Sequence, residues 1–413
     1  METSPSKWDT SYEWKAVLLL ALGFGLVGLD RFIILPLFPV MMKDLHLNYQ
    51  DLGLIASVFS IAWGAAALVM GSVSDRIGRR RTLIPAVILF SVLAGGSGLA
   101  TSLMTLLLIR VLMGISEGGY TPASIAATVE ASEPTRRGFN LGLQQQLFAV
   151  FGLAAGPILA TQLLAFVPSW RWVFFIVSLP GFALAVIMFF VLRNTEGTLA
   201  VAPRPAETSR QGWREIFGHR NVALNAAGMC CMLTSLVVTT TMTPNFLTDV
   251  QQISMTNMGF IMSGVGFGGF AGQMILPGVS DRIGRKVVVI GCYVATFASI
   301  AGLMMAGPHP VLLFALLFSF SFFNNSMICL NVGPLTSEAS APHLTSTATG
   351  VVVGTGEIIG GGLAPVAAGF IAQHFGLTQT FYMALGGLAI GFVLALNLRE
   401  TAPLVVKRAA SAG

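Results

Sequence analysis

The sequence predicts an all-α membrane protein of twelve transmembrane helices in two pseudo-symmetric six-helix halves. Three observations predict it. The 413-residue chain is 54% hydrophobic and only 10% charged, against about 25% charged residues in a soluble domain, so it carries too little polar surface to face water. It divides into twelve apolar runs. A ten-residue motif from the first half of the chain also recurs 206 positions later.

The runs set the spans. Some 30 Å of hydrocarbon at about 1.5 Å of rise per residue needs about 20 mostly apolar residues. Runs of that kind lie at roughly 16–40, 51–73, 82–101, 104–127, 139–164 and 171–192 in the first half. In the second they lie at roughly 221–248, 257–279, 287–306, 310–332, 346–372 and 380–398. Each must be a helix, because lipid cannot satisfy the open edge of a strand. Between the sixes, residues 193–220 hold Pro203, Pro205 and several arginines without a long apolar run, which predicts a solvated linker. The expected organisation is therefore 1–192, 193–220 and 221–413.

The positive charges orient these spans. If the N-terminus is inside, nineteen of the 23 Lys and Arg fall in inner segments, and only Lys43 and Arg171 fall in outer loops. Arg31 and Arg110 remain within spans. Such asymmetry is the positive-inside rule, and it predicts both termini in the cytoplasm. The net charge of +5 is thus a topology signal, not an invitation to nucleic acid. The polar stretch Met1–Lys15 contains acids as well as lysines and no small-residue cleavage site follows it, so no cleavable signal is expected.

The repeat is Gly71-Ser-Val-Ser-Asp75-Arg76-Ile-Gly78-Arg79-Arg80 after span two, and Pro277-Gly-Val-Ser-Asp281-Arg282-Ile-Gly284-Arg285-Lys286 after span eight. This pattern resembles the signature loop of the major facilitator superfamily, with Pro277 standing where the first glycine would be. The resemblance covers essentially the whole chain. It implies the major facilitator fold, a substrate site between the halves near mid-bilayer, and a conformational latch formed by Gly71, Asp75, Arg76, Gly78 and Arg79 with Asp281, Arg282 and Arg285. A plain topological role for these loop charges fits the same residues.

Ionisable groups inside spans are the sharpest pointers to function, because a charge at a helix centre costs about 2.5–3.5 kcal/mol on insertion scales. There are five: Asp30, Arg31, Arg110, Glu117 and Glu357. Asp30 and Arg31 are neighbours, about 100° apart around a helix, so they cannot both point one way. Arg110 and Glu117 are seven apart and share a face. Gly114, Gly118 and Gly119 strip that helix of bulk and admit a close neighbour. A buried guanidinium suits bidentate recognition of a carboxylate or phosphate. A substrate anion and a carboxylate competing for one arginine would couple proton binding to substrate binding.

An Asp-Arg pair in span one with R-x-x-x-G-x-x-E in span four resembles the anion:cation symporter family, which includes sugar-acid/proton symporters and vesicular organic-anion carriers. The resemblance implies proton-coupling roles for Asp30 and Glu117, and anion-attracting roles for Arg31 and Arg110. Two positions depart from it. Trp63 stands where the family commonly has tyrosine. Glu357 stands where a neutral amide is usual, and reads either as a further proton site or as a side chain snorkelling to the membrane surface. Expected substrate-binding residues are Arg31, Arg110, Trp63, Gln145, Asn245, Asn324 and Asn325; expected proton-coupling residues are Asp30, Glu117 and Glu357. Gln144, Gln146, Thr239, Thr240, Thr241 and Thr243 are further polar groups able to line a cavity or to bond between helices. Gly152-x-x-x-Gly156-Pro157 resembles an antiporter motif, but small residues at that spacing mainly allow close packing.

Other classes find little support. Cys230, Cys231, Cys292 and Cys329 lack metal spacing and read as buried small side chains. The five histidines sit at loops or helix ends. No nucleophile motif is visible, so no enzyme, metal or cofactor is expected. The expected function is proton-coupled symport of an organic anion, such as a sugar acid, aromatic acid or small carboxylic acid. The alternative is an organic-anion exchanger or drug/proton antiporter of the same fold. The expected setting is the bacterial inner membrane, as a monomer.

Overall fold

A computed structural model describes residues 8–193, 220–340, 345–402 and 405. Its helices are α1 (Thr10–Asp44), α2 (Tyr49–Ile77), α3 (Arg79–Ser97), α4 (Leu103–Ala131), α5 (Arg137–Phe166) and α6 (Trp170–Val191). After residues 194–219, which lie outside the described ones and include most of the expected linker, come α7 (Arg220–Val250), α8 (Met255–Ile283), α9 (Arg285–Met305), α10 (Pro310–Leu335), α11 (Ala348–Phe375) and α12 (Leu377–Leu396). Every expected span has its helix.

Eleven of these are long and apolar enough to cross a membrane. The exception is α3, which is 19 residues long and opens on Arg79, Arg80 and Arg81, so the arginines occupy its first turn. It packs against α4 and α6 and completes the twelve. The outer surface is apolar, as lipid requires: Phe166 is 85% exposed and Phe190 is 79% exposed. Polar residues are turned inward, the reverse of a soluble protein.

Helices before residue 193 pack among themselves, as do those after 220, and the two sets meet along α2–α11 and α5–α8. At the end away from Thr10 and Leu396, Tyr49 Oη donates to Asp249 Oδ2 at 2.7 Å, and Tyr49 N donates to Gln373 Oε1 at 3.2 Å. Ser57 Oγ donates to the Gly362 carbonyl at 2.5 Å. A side chain on Gly266 of α8 would meet the backbone nitrogen of Ala154 at 2.1 Å, so α5 and α8 touch backbone to backbone there. Among the described residues, the hydrogen bonds and ion pairs traced between the sets run from the middle to this far end. The molecule is closed there.

The repeated loops adopt matching geometry. Gly78 and Gly284 have φ of +97° and +111°, a region where a side chain is strained. Each turns the chain between two helices. Arg79 Nε donates to Glu130 at 3.0 Å and its Nη1 to Ser74 Oγ at 3.1 Å. Arg285 repeats this in the second set, reaching Glu338 at 3.0 Å, Ser280 Oγ at 2.6 Å and Asp281 at 2.5 Å. Arg76 and Arg282 are exposed. Gly71 has only Pro122 near the space a side chain would take. The side chain of Asp75 lies outside the described ones.

Candidate functional site

The site begins with a break in α1. Pro36 has no N–H to bond the carbonyl one turn back at Phe32, and the helix is interrupted between Phe32 and Ile34. Asp30 and Arg31 sit just before that break. Alongside, Gly28 and Gly152 bring α1 against α5; a side chain on Gly28 would strike the Phe148 carbonyl at 2.3 Å. Similarly α4 lies on α2, because a side chain on Gly118 would meet the Trp63 carbonyl at 2.3 Å. The span-four glycines thus serve close packing, and that packing holds Arg110 and Glu117 near α1.

Between the sets lies a cavity of about 200 Å³. Of the expected site residues, Arg31, Arg110, Gln145, Asn325 and Glu357 line it. Asp30, Glu117, Trp63, Asn245 and Asn324 do not reach its wall.

Arg31 faces the cavity. Its Nη2 donates to Ser60 Oγ at 3.4 Å and lies 3.7 Å from Glu357 Oε2. Its guanidinium carbon is 5.5–5.7 Å from the ring centroids of Phe32, Phe59 and Trp63, within cation–π range. Trp63 therefore backs Arg31 without bordering the cavity itself, and its Nε1 has no partner. Glu357 opens a π-helical segment, Glu357–Leu363, a departure often found at functional sites. It meets Arg31 from the opposite set of helices, so it points into the cavity and not to the membrane surface.

Arg110 is 1% exposed. Its Nη1 donates to the backbone carbonyl of Asp30 at 3.0 Å. Its Nε and Nη2, the two nitrogens of one planar fork, have no partner. Glu117 is wholly buried, with both carboxyl oxygens unpartnered. Asp30 is 4% exposed. Two buried acids thus accompany one buried arginine whose fork is unspent.

The expected amides scatter. Gln144 is tied to Thr128 and Ser124 within the first set. Asn245 sits by Asp249 at the closed end, 3.4 Å away. Asn324 donates to the Met232 carbonyl at 3.3 Å and stays between α7 and α10. Gln146 instead crosses between the sets, donating to Gln273 Oε1 at 3.0 Å, and Gln273 Nε2 reaches Asn325 Oδ1 at 3.4 Å. Gln273 and Ser60 line the cavity and were missed in the sequence. A lone amide within the glycine-rich apolar run of α8 was the available signal for Gln273; nothing distinguished Ser60. Among the described residues there is no group of three or more His, Cys, Asp or Glu able to hold a metal.

A bundle of membrane-crossing helices in two sets, closed at one end around a charged cavity, is the architecture of a membrane transporter. The Major Facilitator Superfamily family model matches residues 20–357 and 224–412, and the chain belongs to that family. It is 27% identical to a hexuronate transporter of Bacillus subtilis, over 95% of this chain and 96% of that one. It is also 27% identical to a probable 4-methylmuconolactone transporter of Cupriavidus pinatubonensis, over 91% and 88%. Its fold superposes on the crystal structure of a bacterial homologue of the human lysosomal transporter Spinster with a TM-score of 0.77 at 19% identity, covering 95% and 97% of the two chains.

Proposed function

We propose that this chain is a proton-coupled symporter of a small organic anion, working by alternating access as a monomer in a bacterial inner membrane. The observation that carries the reading is Arg110: a buried arginine at the cavity, with an unspent fork and two buried acids nearby. Such a fork matches a carboxylate bidentately. The names of the hexuronate and 4-methylmuconolactone transporters support an organic substrate of this size. Arg31 supplies a second positive charge on the same wall.

Glu117 is assigned the transported proton and Asp30 a coupled role. An unpartnered carboxyl is cheaper to bury neutral than charged, and Glu117 has no donor to hold it charged. When the acids are protonated, the arginines are left to the substrate anion. Glu357 competes with that anion for Arg31. With both termini in the cytoplasm, the closed end is periplasmic and the conformation faces inward. Rocking of the two sets about the midplane site would alternate access, with the Arg79 and Arg285 clusters bracing the two repeated loops.

The test is uptake by proteoliposomes of labelled carboxylates, with and without an inward proton gradient. Gradient-stimulated accumulation is expected. Uptake only into vesicles preloaded with another anion would replace symport by exchange.

A further inference from the structure

The cavity's chemistry narrows the substrate beyond "organic anion". We infer that the substrate is a small carboxylate with an apolar body, a ring or short hydrocarbon, and not a polyhydroxylated sugar acid. This rests on the organic-anion reading above.

Size comes first. At about 200 Å³ the cavity is below the roughly 300–1,000 Å³ of pockets that hold drug-sized ligands. One ring with its carboxylate is the scale that suits it.

The lining is the second argument. Twelve of its 21 residues are apolar. Three are phenylalanines, Phe32, Phe59 and Phe148, from three different helices. Phe32 and Phe148 meet edge to face at 5.9 Å, and Phe32 and Phe59 flank Arg31. Leu236 and Leu153 extend the apolar wall. The two arginines lie on the first set's side of this wall. A carboxylate drawn to them would leave its body among rings and leucines.

The third argument is a hydrogen-bond inventory. A hexuronate carries several hydroxyls, each needing a donor and an acceptor when taken out of water. Most of the polar lining side chains are already engaged within the protein. Ser60 accepts from Arg31, and Thr240 donates to the Leu236 carbonyl at 2.8 Å. Gln273 is held by Gln146 and Asn325, and Asn325 donates to Ser321 Oγ at 2.8 Å. Glu357 faces Arg31. Among the described residues, only Gln145 and Thr241 of the uncharged polar lining make no traced hydrogen bond. With two wholly uncommitted side chains and only part of the capacity of the others left, the lining matches few of a sugar acid's hydroxyls, and unmatched hydroxyls oppose binding. A benzoate-like or cyclohexane-like body asks for none.

The experiment is direct binding by isothermal titration calorimetry to purified, monodisperse full-length protein, using benzoate, cyclohexanecarboxylate, galacturonate and benzamide. Benzoate or cyclohexanecarboxylate is expected to bind at least about tenfold more tightly than galacturonate, and benzamide at least about tenfold more weakly than benzoate; these ratios match about 1.4 kcal/mol per decade. Tighter binding of galacturonate overturns the inference and leaves the organic-anion reading standing. Equal binding of benzamide and benzoate removes the arginine anchor and overturns it too. No binding of any carboxylate to folded protein defeats both the inference and the reading beneath it.

Discussion

Arg31 of α1 and Glu357 of α11 face each other across the cavity, Nη2 to Oε2 at 3.7 Å, one from each set of helices. On the proposed reading, the carboxylate of Glu357 occupies the place beside Arg31 that an arriving anion would take. It is also a charged link between the sets, so on the same reading it ties anion binding to their relative position.

Glu357→Gln should therefore tighten anion binding. The pair is partly exposed, with side chains 14% and 21% accessible, and ion pairs open to water contribute about 0.2–1 kcal/mol. Removing the competitor should lower Kd by up to about fivefold. Titration calorimetry of the variant checks this. Weaker binding would mean that Glu357 touches the substrate and does not compete with it.

The closed end offers a test of gating. Tyr49 and Asp249 are joined at 2.7 Å, a hydrogen bond to a charged group of the kind that contributes about 1.5–3 kcal/mol. Tyr49→Phe removes it with little change in bulk. The population open at that end should rise by roughly 10- to 150-fold. Spin labels at Lys43 and Gln252, both exposed, would report a longer distance population by pulsed electron paramagnetic resonance. An unchanged distance distribution would mean that the closed end is held by its other contacts, such as those of Tyr49 N to Gln373 and Ser57 to Gly362.

Arg110→Lys should lose most transport. An ammonium can keep one contact, such as that to the Asp30 carbonyl, but has no planar fork. Losing a charged hydrogen bond of about 1.5–3 kcal/mol lowers uptake by about 10- to 150-fold at subsaturating substrate. Initial uptake rates in proteoliposomes check it. Near-normal affinity in this variant would count against direct contact between Arg110 and the anion.

Hydropathy and charge placement made the fold legible before any coordinates, because spanning a membrane leaves a long apolar run for each helix and a charge bias at its ends. The repeated Asp-Arg-Ile-Gly loops added the pairing of halves. Depth also marked Arg110 and Glu117, since a charge in lipid must have a reason to be there. Helix rotation was not legible. Gln145 lines the cavity while its neighbours turn to Thr128 and Gln273, and no spacing within one helix decides which. Partners 200 residues apart, such as Tyr49 and Asp249, are set by tertiary packing alone. Glu13 reads as a tail charge in the sequence. Yet it is 1% exposed and accepts from Trp8 at 2.9 Å, Arg136 at 2.8 Å and Asn140 at 2.9 Å, because α1 begins earlier than its apolar run.

Glu117 carries the last prediction. Its carboxyl is fully buried and neither oxygen has a partner, so folding gains no hydrogen bond from it. Glu117→Gln keeps the shape and removes the proton site. The variant should fold with a melting temperature equal to or above that of the parent, whereas breaking a satisfied buried pair would cost about 3–5 kcal/mol. Transport should divide in a particular way. Exchange of substrate across vesicles at equal pH should persist, because it needs only the anion site and the rocking motion. Accumulation driven by an inward proton gradient should disappear. If the variant still accumulates substrate as strongly as the parent under the gradient, the proton travels elsewhere, and Asp30 becomes the group to replace next.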